Sequence, residues 1–224
     1  VRVHDDIGWS FANDDMAYFR INAFDHRLFL NAFYTGQFPG SYAIGLGFNY
    51  NPINQDMRIC GTAASLTGIE QAIDTADPTL YRHAIDRHIM IHSIVLALAG
   101  IPLLYIGDEL ATTNDYSYEK DPTKANDSRW VQRPTFDWDR AESRHDTSTP
   151  QGEVFTRLTQ MIAARKSLPA LGGTSTTFVK TGNPHVLAFI RGGTVLCLFN
   201  FSDDSQVIPT DVLTSHWRIP KRVV

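Results

Sequence analysis

The chain has 224 residues, 43% hydrophobic and 20% charged, a composition that supports one or two globular domains and excludes a disordered polymer. Its formal net charge is -4 and its Lys and Arg are scattered, which excludes a nucleic-acid footprint and fits an uncharged or weakly anionic partner. No apolar stretch reaches the roughly 20 residues of a membrane span, so no membrane partner is expected.

Residues 1 to 4, with the run Val1-Arg2-Val3, read as the end of a buried strand. His4-Asp5-Asp6-Ile7-Gly8-Trp9 then presents an imidazole and two carboxylates at the C-terminal end of that strand, where α/β barrels keep their chemistry. A catalytic motif at residue 4 leaves no room for upstream strands, and the first residue is Val rather than Met. The chain is therefore expected to be the back half of an enzyme, with its targeting information elsewhere and its compartment unreadable.

Residues 10 to 60 read as a long insertion rich in aromatics, Asn, Gly and Pro, a length of loop that is uncommon unless functional. Within it Asp25 to Phe33 has helical spacing, while Gln37-Phe38-Pro39-Gly40-Ser41 and Asn51-Pro52-Ile53-Asn54 are turn chemistry. Gly61 to Leu66 opens a short helix, and Asp77-Pro78-Thr79 interrupts. The helix predicted over residues 79 to 99 places Ile85, Ile89, His92, Leu96 and Ala99 on one face and closes at Gly100. His88 and His92 stand four apart, a metal-ligand spacing, but no third ligand accompanies them; no metal or other cofactor is expected.

Ile101 to Ile106 is a continuous apolar run that reads as a strand covered on both faces, entered straight from a helix as in a βαβ unit. Asp108 and Glu109 after it either shape a site or cap the next loop. Residues 110 to 150 are polar and loop-like, and residues 151 to 167 form an amphipathic helix with Arg165 and Lys166 in its last turn. Beyond Pro169 the pattern turns to β: Thr176 to Val179, Val186 to Ile190 and Val195 to Asn200, joined by short turns and hence antiparallel. Cys60 and Cys197 read as buried free thiols rather than a disulfide. Trp9, Trp130 and Trp138 read as core filling, with stacking on sugar rings as the alternative.

Three stations, His4 to Trp9, Gly100 to Glu109 and Asp127-Ser128-Arg129-Trp130, together resemble the α-amylase superfamily of retaining glycoside hydrolases, family 13. The form His-Asp-Asp-Ile-Gly-Trp-Ser-Phe, followed by Phe24-Asp25-His26-Arg27, is most similar to the sucrose-active amylosucrase branch. The similarity runs along nearly the whole chain and weakens after about residue 200.

The resemblance implies an α/β chain: the C-terminal portion of a (β/α)8 TIM barrel followed by an incomplete antiparallel β-sandwich. Residues 1 to 10 would be the end of strand seven and its catalytic loop, 11 to 60 an insertion subdomain after it, 61 to 168 helix seven, strand eight, a long loop and helix eight, and 169 to 224 a truncated C-terminal domain. Retaining chemistry uses a nucleophilic carboxylate and an acid/base carboxylate about 5 Å apart. In the family both sit on strands four and five, outside these 224 residues, so this chain alone is expected to be inactive. Asp5 matches the third carboxylate, which binds sugar hydroxyls and stabilises the transition state, and His4 the imidazole that binds the same sugar. Asp6 resembles the residue reaching the next subsite. Arg129 matches an arginine that pairs with an upstream carboxylate and closes the pocket floor, and Arg58 and Arg27 resemble those holding the fructosyl or acceptor sugar.

The expected activity is transfer of glucosyl units from sucrose to an α-1,4-glucan with release of fructose. The expected partners are sucrose, the glucan acceptor and the N-terminal part of the same polypeptide. The enzymatic alternative is a sucrose hydrolase, which passes the glucosyl unit to water rather than to glucan, or another superfamily glycosidase. A non-catalytic carbohydrate-binding remnant is the alternative of another class.

Overall fold

A computed structural model describes residues 3–214. Val1 and Arg2, half of the expected first strand, and residues 215–224 of the expected C-terminal domain lie outside the described residues. The chain divides into two units, residues 1–88 with 104–156 and residues 89–103 with 157–224. Both mix helices with small antiparallel sheets.

In the first unit α1 (Asn13–Tyr18) leads into α2 (Ala23–Tyr34), the helix expected in the insertion. The Asn22 side chain starts α2 by accepting from the free amides of Phe24 and Asp25 at 3.0 and 3.3 Å. A two-stranded ribbon follows, β1 (Leu46–Phe48) with β2 (Arg58–Cys60), in which Leu46 faces Cys60 and Phe48 faces Arg58. Residues 10 to 60 are thus less irregular than the sequence suggests; three-residue strands, one centred on Gly47, are too short to show alternation. Ile7 exchanges both backbone hydrogen bonds with Ile59, at 2.9 and 2.8 Å, and so ties the His4 to Trp9 segment to the ribbon. An isolated ribbon is marginal in water. This one rests on a core of Cys60, Tyr118 and Val131, with Leu46, Phe48 and Trp130 packed on it.

Thr62 caps α3 (Ala63–Thr67), and the left-handed Gly68 turns the chain into α4 (Ile69–Thr75). Asp77 caps α5 (Pro78–Ala97), accepting from Thr79 and Leu80 at 2.8 and 3.0 Å, with Pro78 at the first helical position where its missing N–H costs nothing. Ile85, Ile89, His92 and Leu96 are buried as expected, whereas the helix ends two residues early and leaves Ala99 exposed. None of the described helices is long and apolar enough to cross a membrane.

The strand expected over residues 101 to 106 is not formed. A strand exists only through hydrogen bonds to a neighbour, and no described strand lies beside this run; Ile101, Leu103 and Ile106 are exposed. Every strand pairing among the described residues is antiparallel. A short helix, α6 (Trp138–Glu142), precedes α7 (Pro150–Ser167), the amphipathic helix expected there.

The second unit continues from α7 through α8 (Pro169–Gly172) into the meander β3 (Thr176–Val179), β4 (Val186–Arg191) and β5 (Val195–Asn200), and ends with α9 (Thr210–Thr214). All three strands stand where the alternation placed them, antiparallel, with Phe178 opposite Phe189 and Phe189 opposite Cys197. Period-two alternation gives the sheet two apolar faces. Phe189, Phe199 and Leu187 pack with Met90, Ile94 and Ala97 from the C-terminal half of α5, and Ala188, Ile190, Val179 and Leu196 cluster together. Arg191 is fully buried beside them, its guanidinium donating to the carbonyls of Leu171, Gly173 and Ser175 and to the Thr176 hydroxyl. Neither cysteine forms a disulfide; Cys60 is buried as expected, whereas Cys197 is only half-buried.

Candidate active site

The bridge from Ile7 to Ile59 brings the N-terminal motif beside Arg58 at the start of β2. From the other side comes a 3-10 turn over Ser128–Gln132, started by Asp127, whose carboxylate accepts from the Arg129 amide at 3.0 Å. The Ser128 hydroxyl donates to the Gly47 carbonyl at 3.2 Å, and Val131 is buried in the core beneath. Three segments about 50 and 70 residues apart along the chain therefore meet on one scaffold.

Five of the six site residues expected from the sequence lie there. His4 and Asp5 are largely exposed, with Nε2 3.3 Å from Oδ2. Asp6 is more sheltered, its side chain 17% exposed, and its Oδ2 is 3.9 Å from Nε of Arg58. The guanidinium of Arg129 is gripped by Asp127, Nε to Oδ1 at 2.9 Å and Nη2 to Oδ2 at 2.8 Å, and lies 4.7 Å over the Phe48 ring. Such a fork-to-fork pair fixes both planes. Within this chain the partner of Arg129 is thus a carboxylate two residues before it, where the resemblance points to one further upstream. The hydrogen bonds between them hold the Asp127 carboxyl below the usual carboxylate range and push Arg129 further up.

Arg27 stands apart. It is only 8% exposed, and its guanidinium donates to the Phe11 carbonyl at 3.0 Å and to Asn13 Oδ1 at 2.9 Å while lying over the Phe11 ring. Its charge joins α2 to Phe11 and to the first residue of α1, so in this arrangement its guanidinium is turned into the insertion rather than held out toward a sugar. Trp9 likewise turns inward, donating to Asn31 Oδ1 at 2.8 Å, and Trp130 packs on the core of Cys60 and Val131; Trp138 is exposed. Glu109 accepts from the Gly107 amide at 2.9 Å and so caps its own turn. His88 is buried in α5 with Nε2 2.9 Å from the Asp108 carbonyl.

One cation at the site was not anticipated. Arg133, just after the 3-10 turn, places Nη2 3.5 Å from Asp5 Oδ1. Asp6 acts electrostatically on Arg129, and Arg133 on Asp127, so the three carboxylates Asp5, Asp6 and Asp127 and the three guanidiniums Arg58, Arg129 and Arg133 form one charge-balanced cluster. Alternating fixed donors and acceptors of this kind suit a neutral, hydroxyl-rich ligand better than a phosphate, because each guanidinium already has a carboxylate beside it. Among the described residues no group of three or more His, Cys, Asp or Glu is placed to hold a metal ion.

No family model matches the chain. Among solved structures it is similar to the type III pullulan hydrolase from Thermococcus kodakarensis, at 24% identity over 54% of this chain and 18% of that one, with a TM-score of 0.40. It is also similar to the protein Ttha1563 from Thermus thermophilus, at 22% identity over 56% of this chain and 22% of that one, with a TM-score of 0.38. The chain spans about a fifth of the length of either protein, and neither superposition reaches the level of a shared fold.

Proposed function

We propose that the chain is the C-terminal part of a retaining enzyme of the α-amylase superfamily that moves glucosyl units from sucrose to an α-1,4-glucan and releases fructose. The observation that supports this reading is the convergence of His4, Asp5 and Asp6 from the first station, Arg58 from the insertion and Arg129 from the third station onto one cluster. In this reading Asp5 holds two sugar hydroxyls and its fixed negative charge stabilises the positive charge that develops at the anomeric carbon. His4 donates to the same sugar. Asp6 and Arg58 line the neighbouring subsite, which takes the fructosyl unit of sucrose and then the acceptor. Arg129, locked by Asp127, closes the floor of the pocket. In this reading the nucleophile and the acid/base carboxylate are those that the family carries on strands four and five, outside these 224 residues.

The test is incubation of the full-length enzyme with sucrose, with and without a glucan primer. Fructose release with growth of the glucan supports the reading; equimolar free glucose makes the enzyme a hydrolase; no fructose sinks both. Asp5→Asn in the full-length enzyme should lower kcat by about 10² to 10³, the scale for one preorganised electrostatic group, with the fold retained. Near-normal activity in that variant would remove Asp5 from its role.

A further inference from the structure

We propose that Gln132 and Arg133 form a clamp that positions the His4-Asp5 pair, a role that rests on the reading of that pair as the sugar-binding centre. The carbonyl of His4 accepts twice, from Gln132 Nε2 at 3.1 Å and from Arg133 Nε at 2.8 Å. A backbone oxygen has two lone pairs, and both are used by adjacent residues of one turn. The orientation of Gln132 is fixed as well: its side chain is fully buried, and its Oε1 accepts from the Gly61 amide at 2.8 Å. Turning the amide over would set oxygen against the His4 carbonyl and NH2 against the Gly61 N–H, so one orientation alone satisfies both ends.

Arg133 then acts at two points. Its Nε holds the carbonyl immediately before Asp5, and its Nη2 lies 3.5 Å from the Asp5 carboxylate. The carboxylate is 60% exposed, so this ion pair adds little stability. Its effect is directional: the backbone before Asp5 and the side chain of Asp5 are referred to one rigid guanidinium plane. The plane has a fixed base. The Arg133 amide donates to the Trp130 carbonyl at 3.0 Å, the Val131 carbonyl accepts from Asp115 at 2.9 Å, and Val131 is wholly buried. Gly61, on the far side of Gln132, begins the segment that Thr62 caps into α3. The clamp thus fastens an exposed turn to two well-packed neighbours. Positioning of this kind matters because displacing a reacting or stabilising group by about 1 Å can cost about a hundredfold in rate.

Arg133→Ala and the conservative Arg133→Lys, which keeps the charge and one donor, separate positioning from folding. With this chain labelled with 13C and 15N, the His4 carbonyl and Asp5 amide resonances should move in Arg133→Ala, while those of β3, β4 and β5 stay in place. Unchanged His4 and Asp5 resonances overturn the clamp. In the full-length enzyme Arg133→Ala should lower kcat at least about tenfold and leave KM for sucrose within about threefold, because the clamp serves the transition state more than ground-state binding. Arg133→Lys should recover a measurable part of kcat. A loss confined to KM, or no recovery by lysine together with displaced β3 to β5 resonances, overturns the positioning role. Absence of sucrose turnover in the unaltered full-length enzyme is a failure of the functional reading instead, and the His4 resonance then decides the clamp by itself.

Discussion

The side chain of Arg58 lies across Gly8 so closely that a Cβ built on Gly8 would fall 1.8 Å from its Nη1 and 2.6 Å from its Cζ. Glycine at this position is what lets the guanidinium approach the Ile7 strand edge and come within reach of Asp6. Gly8→Ala should therefore displace Arg58 while leaving the fold intact, since the atoms in the way are the far end of a flexible side chain. In the full-length enzyme the expected result is a several-fold rise in KM for sucrose, and no further rise when Arg58→Ala is added. A double-mutant cycle measures this; additive effects would show that the two residues act separately.

Asp127 both starts the 3-10 turn and grips Arg129. Asp127→Asn keeps an oxygen for the Arg129 amide and loses the charge, so it isolates the ion pair from the cap. Because the folded state holds the Asp127 carboxyl below its ordinary 3.8, its contribution to stability is present above that value and is lost as the pH falls below it. The difference in urea midpoint between the wild-type chain and Asp127→Asn should be small near neutrality, as for other exposed pairs, and should close on acidification. A gap that persists to low pH would mean the pair is not its source.

A buried polar network lies under α3 and α4. The Ser65 hydroxyl donates to Glu70, which also accepts from Tyr116 at 2.9 Å and from the Asn114 amide at 3.2 Å, while Asn114 reaches the Ile44 carbonyl at 2.8 Å. Ser65→Ala leaves Glu70 and the Thr62 hydroxyl short of a buried partner. The expected cost is about 1–3 kcal/mol, read as a lower urea midpoint with an unchanged slope.

Tyr116 and Tyr81 are both pushed up from 10.0 to about 12, first by burial and then, respectively, by Glu70 and Glu153 beside them. The neutral phenol is favoured in the folded state. Stability from these two residues is thus complete below pH 10 and is lost as the pH rises toward 12. Burial raises Tyr34 and Tyr118 as well, so phenolate absorbance should show at least four of the eight tyrosines titrating late, and Glu70→Gln should bring Tyr116 down. Simultaneous titration of all tyrosines near the ordinary phenol value in a still-folded chain would refute this.

Arg191 is the largest fully buried side chain of the described residues and holds the carbonyls of residues 171, 173 and 175 against β4. Arg191→Leu fills similar space and strands those acceptors. A loss of about 1–3 kcal/mol is expected, the scale for leaving a buried acceptor without its partner, with the damage centred on β3 to β5. Hydrogen exchange of the strand amides distinguishes this from a uniform loss. A neutral effect would show that water replaces the guanidinium.

The helices and the three-stranded meander were legible because each repeats a period over many residues: Ile85, Ile89 and Leu96 every few positions, Val186 to Ile190 bounded by turn residues. The ribbon was not, since Leu46–Phe48 and Arg58–Cys60 are too short to carry a period. The run at 101 to 106 has the composition of a buried strand, and composition cannot supply the neighbour that a strand requires. At the site, His4, Asp5, Asp6, Arg58 and Arg129 were visible as a linear motif and its companions. Arg133 was not, because nothing near it in sequence signals that it meets residue 4. Arg27 carried the right residue type and motif, but its direction is set by Phe11 and Asn13.

The bonds from Gln132 and Arg133 to His4 span 128 and 129 positions of the chain. Closing a loop of that size costs roughly 4 kcal/mol in chain entropy, from (3/2)RT ln n, and returns only two hydrogen bonds and a loose ion pair. The His4 turn therefore cannot organise by itself early in folding; it must wait until the ribbon and the 128–133 turn have formed their own core. In refolding, native signals from α5 or the meander should precede recovery of the His4 environment, so the chemistry-bearing turn is the last part to become native and the first to let go.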